Sequence, residues 1–474
     1  MTGFVFFDTE TTGLKKGFDQ IIHFAAVRTN HELNELDRFE AYSRLQPHVV
    51  PHPAALLTNG LRIGELTDPE RPSHYDMIGA IGRKLTEWSP AIFVGYNSIS
   101  FDEEMLRHAL FQALHNPYLT SGRGCGRADA MALALAAHAL PPQCLIAPLR
   151  ADGRKSFRLP DIAEANGLSH VRAHDALADA LVTLDLCRLV RDRADDTWQR
   201  FQRFANKAAV ADFVASEDGF VLTEFFGGEA RHRSVGLLGS VPGNANGRFC
   251  LDLTADPDHL AEMSDEELRQ EICRKGTPVR RLATNACPAL TELWSAPAEL
   301  LGDLDVDTAE ERARRMKDDA DLCARIISVY TATWEERPLS PFPERQLYDG
   351  GFPGDADSQR RFDFHDAPRD QRLGIVRNFD DPRLTTFGLR LIHAEHRSSL
   401  PEAERLAADL DLAERLVEER DGPLTLGGAL AAVDELMASG AADPIGLLPD
   451  YRGWIMERIE RIDRFRSERH SEVR

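Results

Sequence analysis

The feature that most constrains this chain is its first strand-like segment. Residues 3–8, GFVFFD, are a short apolar run, and FFDTETTG (6–13) ends it with Asp8 and Glu10 two positions apart, ahead of a turn-forming Thr- and Gly-containing stretch. An apolar run of this length bounded by turn residues reads as a buried strand. Side chains i and i+2 of a strand lie on one face, so both carboxylates converge at the edge of a sheet. Acids placed so close repel each other and lose hydration. A hard divalent cation, which prefers oxygen ligands, relieves both costs. The segment by itself also fits a strand running into a Thr-rich turn with capping acids.

With 474 residues the chain is too long for one small module, and two to four domains are expected. Its 43% hydrophobic content fills real cores and its 28% charged residues keep them in solution, which excludes bulk disorder and collagen-like structure. No apolar run reaches the roughly 18 residues a membrane span needs; MALALAAHAL (131–140) comes nearest. The N-terminus MTGFVFFDTE lacks the basic region and cleavage site of a signal peptide. Seven cysteines are scattered without a C-x-x-C pair, so neither a disulfide framework nor a zinc site is expected, and a reducing cytoplasm is the natural compartment.

The formal net charge of −21 divides into −4 over 1–195, −9 over 196–345 and −8 over 346–474. A bulk charge of that sign argues against coating nucleic acid by long-range attraction. The first third, however, holds Asp8, Glu10, Asp102 and Asp179, and two divalent cations bound there would leave it no longer acidic.

Strand-like segments at QIIHFAAVRTN (20–30), DRFEAYSRLQP (37–47) and AIFVGYN (91–97) alternate later with helical periodicity at 73–88, 102–115, about 129–140 and about 175–190. This order implies a mixed sheet flanked by helices. From about 218 to 256, Gly-punctuated β-like segments with turn signals every eight to twelve residues read as a small barrel-like domain. Helical patterns are expected over 258–335. RPLSPFP (337–343) reads as a linker, and the remainder is largely helical. The expected domains are 1–195, 196–343 and 344–474.

Two further segments carry chemistry. In VGYNSISFDEEMLRHAL (94–110) a strand runs into a loop and Asp102 stands where a helix begins; taken alone, it is an N-cap aspartate. In RAHDALADALVTLDL (172–186), His174 precedes a helix and Asp179 lies about one turn inside it. Five helical residues rotate by about 500°, leaving the two roughly 140° apart. His174 must therefore reach the cleft from the entry turn, with Asp175 as the cap. Alone, His174 reads equally as an exposed loop histidine.

Asp-x-Glu on a first strand, Asp after a later strand and His-x4-Asp at a late helix resemble the DEDD exonuclease superfamily, histidine subclass, whose fold is ribonuclease H-like. Within it, SFRLPDIAEANGLSHVRAHDALAD (156–179), GYNSISFDEEM (95–105), TNACP (284–288) and QLYDGGFP (346–353) are similar to the exodeoxyribonuclease I family. The resemblance implies an α/β nuclease domain with a mixed sheet, an SH3-like β-barrel domain with helical additions and a C-terminal α-helical domain. Together these form a C-shaped clamp around single-stranded DNA. It implies processive 3′→5′ release of 5′-mononucleotides from single-stranded DNA, in repair and recombination, by a monomer.

The expected chemistry is two-metal hydrolysis with Mg²⁺, Mn²⁺ substituting. Asp8, Glu10 and Asp179 hold one ion, Asp8 bridges to the second, Asp102 supports that second ion, and His174 is the general base. Glu10 is also expected to touch substrate. The resemblance assigns DNA contacts to Arg158, Arg107, Tyr118 and Lys207, each basic side chain among them reading alone as a solvated surface charge. SGRGCGR (121–127) lacks the aromatic residue common in the family, which weakens stacking there. The acidic C-terminal tail of single-stranded DNA-binding protein is an implied partner, with WQRFQRF (198–204) a possible receiving stretch. The catalytic acids do not separate this activity from an exoribonuclease or a proofreading nuclease of the superfamily. A non-catalytic repair scaffold is the other alternative, and the acidic charge beyond residue 195 raises a partner-binding protein as a third.

Overall fold

A computed structural model describes residues 3–122, 124–140, 142–169, 175–332, 334–335 and 338–472. The apolar first segment forms β1 (Phe4–Thr11), followed by β2 (Ile21–Thr29) and β3 (Glu35–Tyr42). Two short helices, α1 (Pro53–Asn59) and α2 (Ile63–Leu66), lead to α3 (His74–Trp88), β4 (Ile92–Gly95) and α4 (Asp102–Gln112). Then come β5 (Gly126–Asp129), α5 (Ala130–Ala139), α6 (Leu159–Ala165) and α7 (Ala176–Arg193). The sheet order is β3-β2-β1-β4-β5, with β1 antiparallel to β2 and parallel to β4.

Because β1 is central, both of its faces are covered, and its period-2 alternation divides the core. Phe4 and Phe6 pack into a core with Leu133 of α5 and Leu184 and Cys187 of α7, whereas Val5 and Phe7 enter a second core with Ile81 of α3 and Leu106 of α4. Continuing that alternation past Phe7 places Asp8 and Glu10 on the α7 side, and the β1–β2 register shifts immediately after Glu10. Irregular pairing at a strand end beside a functional site is a recurrent device for re-aiming side chains.

Helices α8 (Asp195–Phe204) and α9 (Lys207–Ser216) lead into a second, wholly antiparallel sheet. It comprises β6 (Gly219–Phe226), β7 (Glu229–Ser240), β8 (Gly247–Asp252), β9 (Val279–Ala283) and β10 (Ala289–Glu292), in the order β10-β6-β7-β8-β9. Helices α10 (Pro257–Glu262) and α11 (Asp265–Cys273) interrupt it, and α12 (Val306–Asp318) and α13 (Ala320–Thr331) pack against it. The expectation of helix throughout 258–335 is thus corrected, since β9 and β10 lie inside that range. Gly227 and Gly228, both at positive φ, form the two-residue turn between β6 and β7, a backbone that glycine adopts without steric cost.

The C-terminal part contains α14 (Asp355–Asp366), α15 (Arg372–Val376), α16 (Pro382–His396), α17 (Glu402–Val417), α18 (Leu426–Ala438) and α19 (Leu447–Glu472). These helices fold back on the first domain. Leu416, Val433, Tyr451 and Ile455 share a core with Ile22, Val50 and Leu56, and the Tyr451 hydroxyl donates to the Pro51 carbonyl at 2.6 Å. Among the described residues, no helix is long and apolar enough to cross a membrane.

Candidate active site

Asp8, Glu10 and Asp179 each offer a carboxylate oxygen, and these oxygens all lie within 4.8 Å of one another. The first two come from the end of β1. The third comes from the first turn of α7, whose N-cap, Asp175, accepts from the Ala178 amide at 3.1 Å. Asp102 joins them by a different route from the one its sequence position implies. The residue in the N-cap position of α4 is Phe101; Asp102 is the first helical residue and accepts the Thr9 hydroxyl at 2.5 Å, across 93 positions of chain. The helix thereby hangs the carboxylate beside β1. His174 falls outside the described residues, one position before the Asp175 cap.

The electrostatics are those of a site built for cations. Burial pushes Glu10 up to about 8, and the charges of Asp179, Asp102 and Asp175 push the same way. Asp8 is raised well above the ordinary carboxylate range, by burial first and then by Asp102, Asp179 and Glu10. Burial also raises Asp102, to about 7, against the hydrogen bond from Thr9. The charges acting most strongly on Asp8 and Glu10 are all carboxylates, and the donor set is all oxygen, so the residues fit hard divalent ions such as Mg²⁺ or Mn²⁺.

This arrangement has a signed consequence. The folded-state values lie above those of the unfolded chain, so the native metal-free protein holds protons that the unfolded chain has released. Its stability therefore falls as pH rises from about 4.5 to about 8, the span of the Glu10 shift. Cation binding requires the ionised carboxylates and offsets the same repulsion. Mg²⁺ is expected to raise the melting temperature more at pH 8.5 than at pH 6, as thermal melts with and without EDTA would record; a larger increment at pH 6 would refute the cation assignment.

Asp8 and Asp179 open into a cleft of about 580 Å³ whose walls include Tyr96, Phe157, Arg158 and the Gly227–Gly228 turn of the second sheet. Arg158, exposed at the start of α6, lines the same cleft as Asp8 and Asp179. Glu10 instead faces a second cavity, of about 430 Å³, lined by Thr9, Leu14, His52, Asn59, Phe101 and Leu424. The end of β1 therefore borders two cavities, Asp8 lining one and Glu10 the other.

Arg107 is only 5% exposed. Its guanidinium meets Glu103 at 3.0 Å and the Tyr348 hydroxyl at 3.2 Å, and it lies 5.5 Å from the centre of the Tyr118 ring. It stands behind Tyr118 instead of opening to solvent on its own, and Tyr118 in turn lies 5.5 Å from Phe352, centroid to centroid. Lys207 is the exposed first residue of α9 and lines neither cavity.

Several contributors were not legible in the sequence. Arg150, Arg154 and Lys155 share the cleft with Arg158, and the only signal for them was the density of basic residues around the turn in LRADGRKSFR (149–158). Asp129 accepts from the Asn97 amide at 2.8 Å and the Met131 amide at 3.0 Å, fixing the loop that delivers Asp102 while capping α5. Tyr348 left only the QLYDGGFP segment as a hint.

A mixed sheet with a carboxylate cluster at the end of its central strand defines a metal-dependent nuclease of the exonuclease class, and the family model described as "Exonuclease" matches residues 5–187. A second model, "Exonuclease I SH3-like domain", matches residues 206–332. The chain belongs to the exonuclease I family. It is 27% identical to the exodeoxyribonuclease I of Escherichia coli (strain K12), over 75% of this chain and 77% of that protein. With the Haemophilus influenzae exodeoxyribonuclease I it shares 26% identity over 81% and 82% of the two chains. Among solved structures, the moderately thermophilic exonuclease I of Methylocaldum szegediense superposes with a TM-score of 0.83 at 25% identity, covering 97% of this chain and all of that one. The E. coli exonuclease I complex with a dA16 oligonucleotide superposes with a TM-score of 0.81 at 22% identity, covering 96% of this chain, and shows the shared fold.

Proposed function

We infer that this protein is a 3′→5′ exonuclease of single-stranded DNA that releases 5′-mononucleotides processively and serves DNA repair and recombination. The carrying observation is the convergence of Asp8, Glu10 and Asp179, with Asp102 held alongside by Thr9, at the edge of a cleft that Asp8, Asp179 and Arg158 line together. Asp8, Glu10 and Asp179 would hold one of two Mg²⁺ ions, with Mn²⁺ able to substitute, and Asp102 would support the other. When bound, such ions supply Lewis-acid activation of water and neutralise charge developing on the scissile phosphate.

The protein's own groups do the remainder. His174 takes the proton of the attacking water. Arg158 pairs with a phosphate in bidentate fashion. Tyr118, backed by Arg107, offers its ring to a base, and Lys207 meets the backbone further along the strand. Glu10, facing the second cavity, also touches the terminal nucleotide.

The acidic tail of single-stranded DNA-binding protein is the proposed partner. Its support is the small cleft where Arg200, Phe201 and Phe204 of α8 meet Cys287, Pro288 and Leu290, an apolar lining with one arginine. A reducing cytoplasm fits seven free thiols, and a monomer is the proposed state.

The test incubates 3′-labelled single-stranded DNA, duplex DNA and RNA with and without Mg²⁺. Magnesium-dependent release confined to single-stranded DNA is expected; equal release from RNA would favour the exoribonuclease reading, and no release the scaffold. Phosphate contacts also predict that DNA affinity falls as salt rises. In Arg158→Gln the slope of log affinity against log salt should be shallower by about one contact, roughly 0.7 for a single strand, and an unchanged slope would remove Arg158 from the interface.

A further inference from the structure

A third cavity, of about 280 Å³, lies apart from the catalytic cleft and shares no lining residue with either cavity at the carboxylates. It sits where the stretch after β3 meets α19, and Arg44, Pro47, Thr67, Trp454, Arg458 and Arg461 line it. Three arginine side chains thus line one small space in a chain whose net charge is −21.

Their counterions are scarce. Arg44 donates to the Arg71 carbonyl at 2.8 Å and meets a carboxylate, Glu395, only at 3.8 Å. Among the described residues, neither Arg458 nor Arg461 forms an ion pair. Arg458 is half-buried and held in place: it donates to the Pro47 carbonyl, and its guanidinium lies 4.8 Å from the centre of the Trp454 ring. Trp454 is itself stacked on Tyr451, at 5.6 Å, so the platform under Arg458 belongs to the core between α19 and the first domain. Burial and the neighbouring charge of Arg461 lower Arg458 to about 10, the mark of a cation without its counter-charge.

We propose that this pocket is an oxyanion site that binds a phosphate or phosphate monoester, with Arg44, Arg458 and Arg461 as its ligands. Guanidinium groups pair with phosphate oxygens through parallel N–H donors. Three of them around one space suit the several oxygens of a tetrahedral anion better than the two of a carboxylate. The ligand would relieve the Arg458–Arg461 repulsion and tie α19 to the 44–47 stretch. That stretch continues into α1, whose Asn59 side chain donates to the Thr11 carbonyl at 3.0 Å, next to the metal-ligating end of β1. The site stands independently of the hydrolytic reading.

The test uses the full-length protein in EDTA, titrated calorimetrically with sodium phosphate, 2′-deoxyadenosine 5′-monophosphate and phosphate-free deoxyadenosine at matched ionic strength. Binding of the first two and not the nucleoside is expected. Arg461→Gln, an exposed position where folding is not at issue, should weaken phosphate binding about tenfold, as loss of one charged hydrogen-bonding partner does, while leaving Mg²⁺-dependent release of nucleotide unchanged. Arg458→Lys should weaken it similarly. Wild-type phosphate affinity in both variants would overturn the proposal. So would variants that alter only the binding of a single-stranded oligonucleotide, because the pocket would then belong to the DNA path.

Discussion

Asp8→Ala and Asp179→Ala enzymes are expected to release nucleotide more slowly by roughly ten-thousand-fold or more, the scale on which metal-assisted hydrolysis exceeds what binding alone supports. Each substitution removes one of three oxygens gathered within 4.8 Å, so the cation loses a ligand that no neighbour replaces. The fold should survive. In the metal-free protein Asp8 is strained by burial and by three surrounding carboxylates, so its removal relieves repulsion. The expected signature is a melting temperature in EDTA at or above wild type, loss of the Mg²⁺-induced increment, and near-zero single-turnover release. Near-wild-type turnover in either folded variant would overturn the metal assignment.

The second large effect is expected at His174. Removing a positioned general base costs typically 10²- to 10⁴-fold, and His174→Ala should fall in that range while keeping the Mg²⁺-induced rise in melting temperature. Asp175 caps α7 and Asp179 lines the cleft from its first turn; His174 lies outside the described residues, and its proposed role rests on the His-x4-Asp pattern of the sequence. An imidazole with an ordinary pKa near 6.5 would also impose an acid limb near neutrality on the wild-type rate. The variant should lose that limb along with its rate; an unchanged rate and profile would remove His174 as the base.

What could be read from the sequence was what local periodicity encodes. The alternation Phe4, Phe6, Asp8, Glu10 assigns the acids to one face before any tertiary contact is known, and the apolar spacing of 176–190 sets Asp179 inside a helix. Asp102 shows the limit of that reasoning. Its position at a helix start signals a cap, but its hydroxyl partner, Thr9, lies on a strand 93 residues earlier, a pairing that only the folded sheet creates. Strands β9 and β10 escaped because VRRLA and ALTE are short and carry charges, so their apolar residues are too few to separate a period of 2 from one of 3.6. The four-residue β5 is ambiguous for the same reason. The basic residues of the cleft lie in an irregular loop, where no periodicity operates, and they gain meaning only when packing brings them to the cleft that Asp8 lines.

The Gly227–Gly228 turn lines the cleft that begins at Asp8 and Asp179, and a side-chain carbon at Gly228 would come within 3.2 Å of the Phe157 ring. The acids are all translated before this part of the cleft wall, Asp179 by about fifty residues. A chain still emerging from the ribosome thus carries its cation ligands before the chamber beside them is complete.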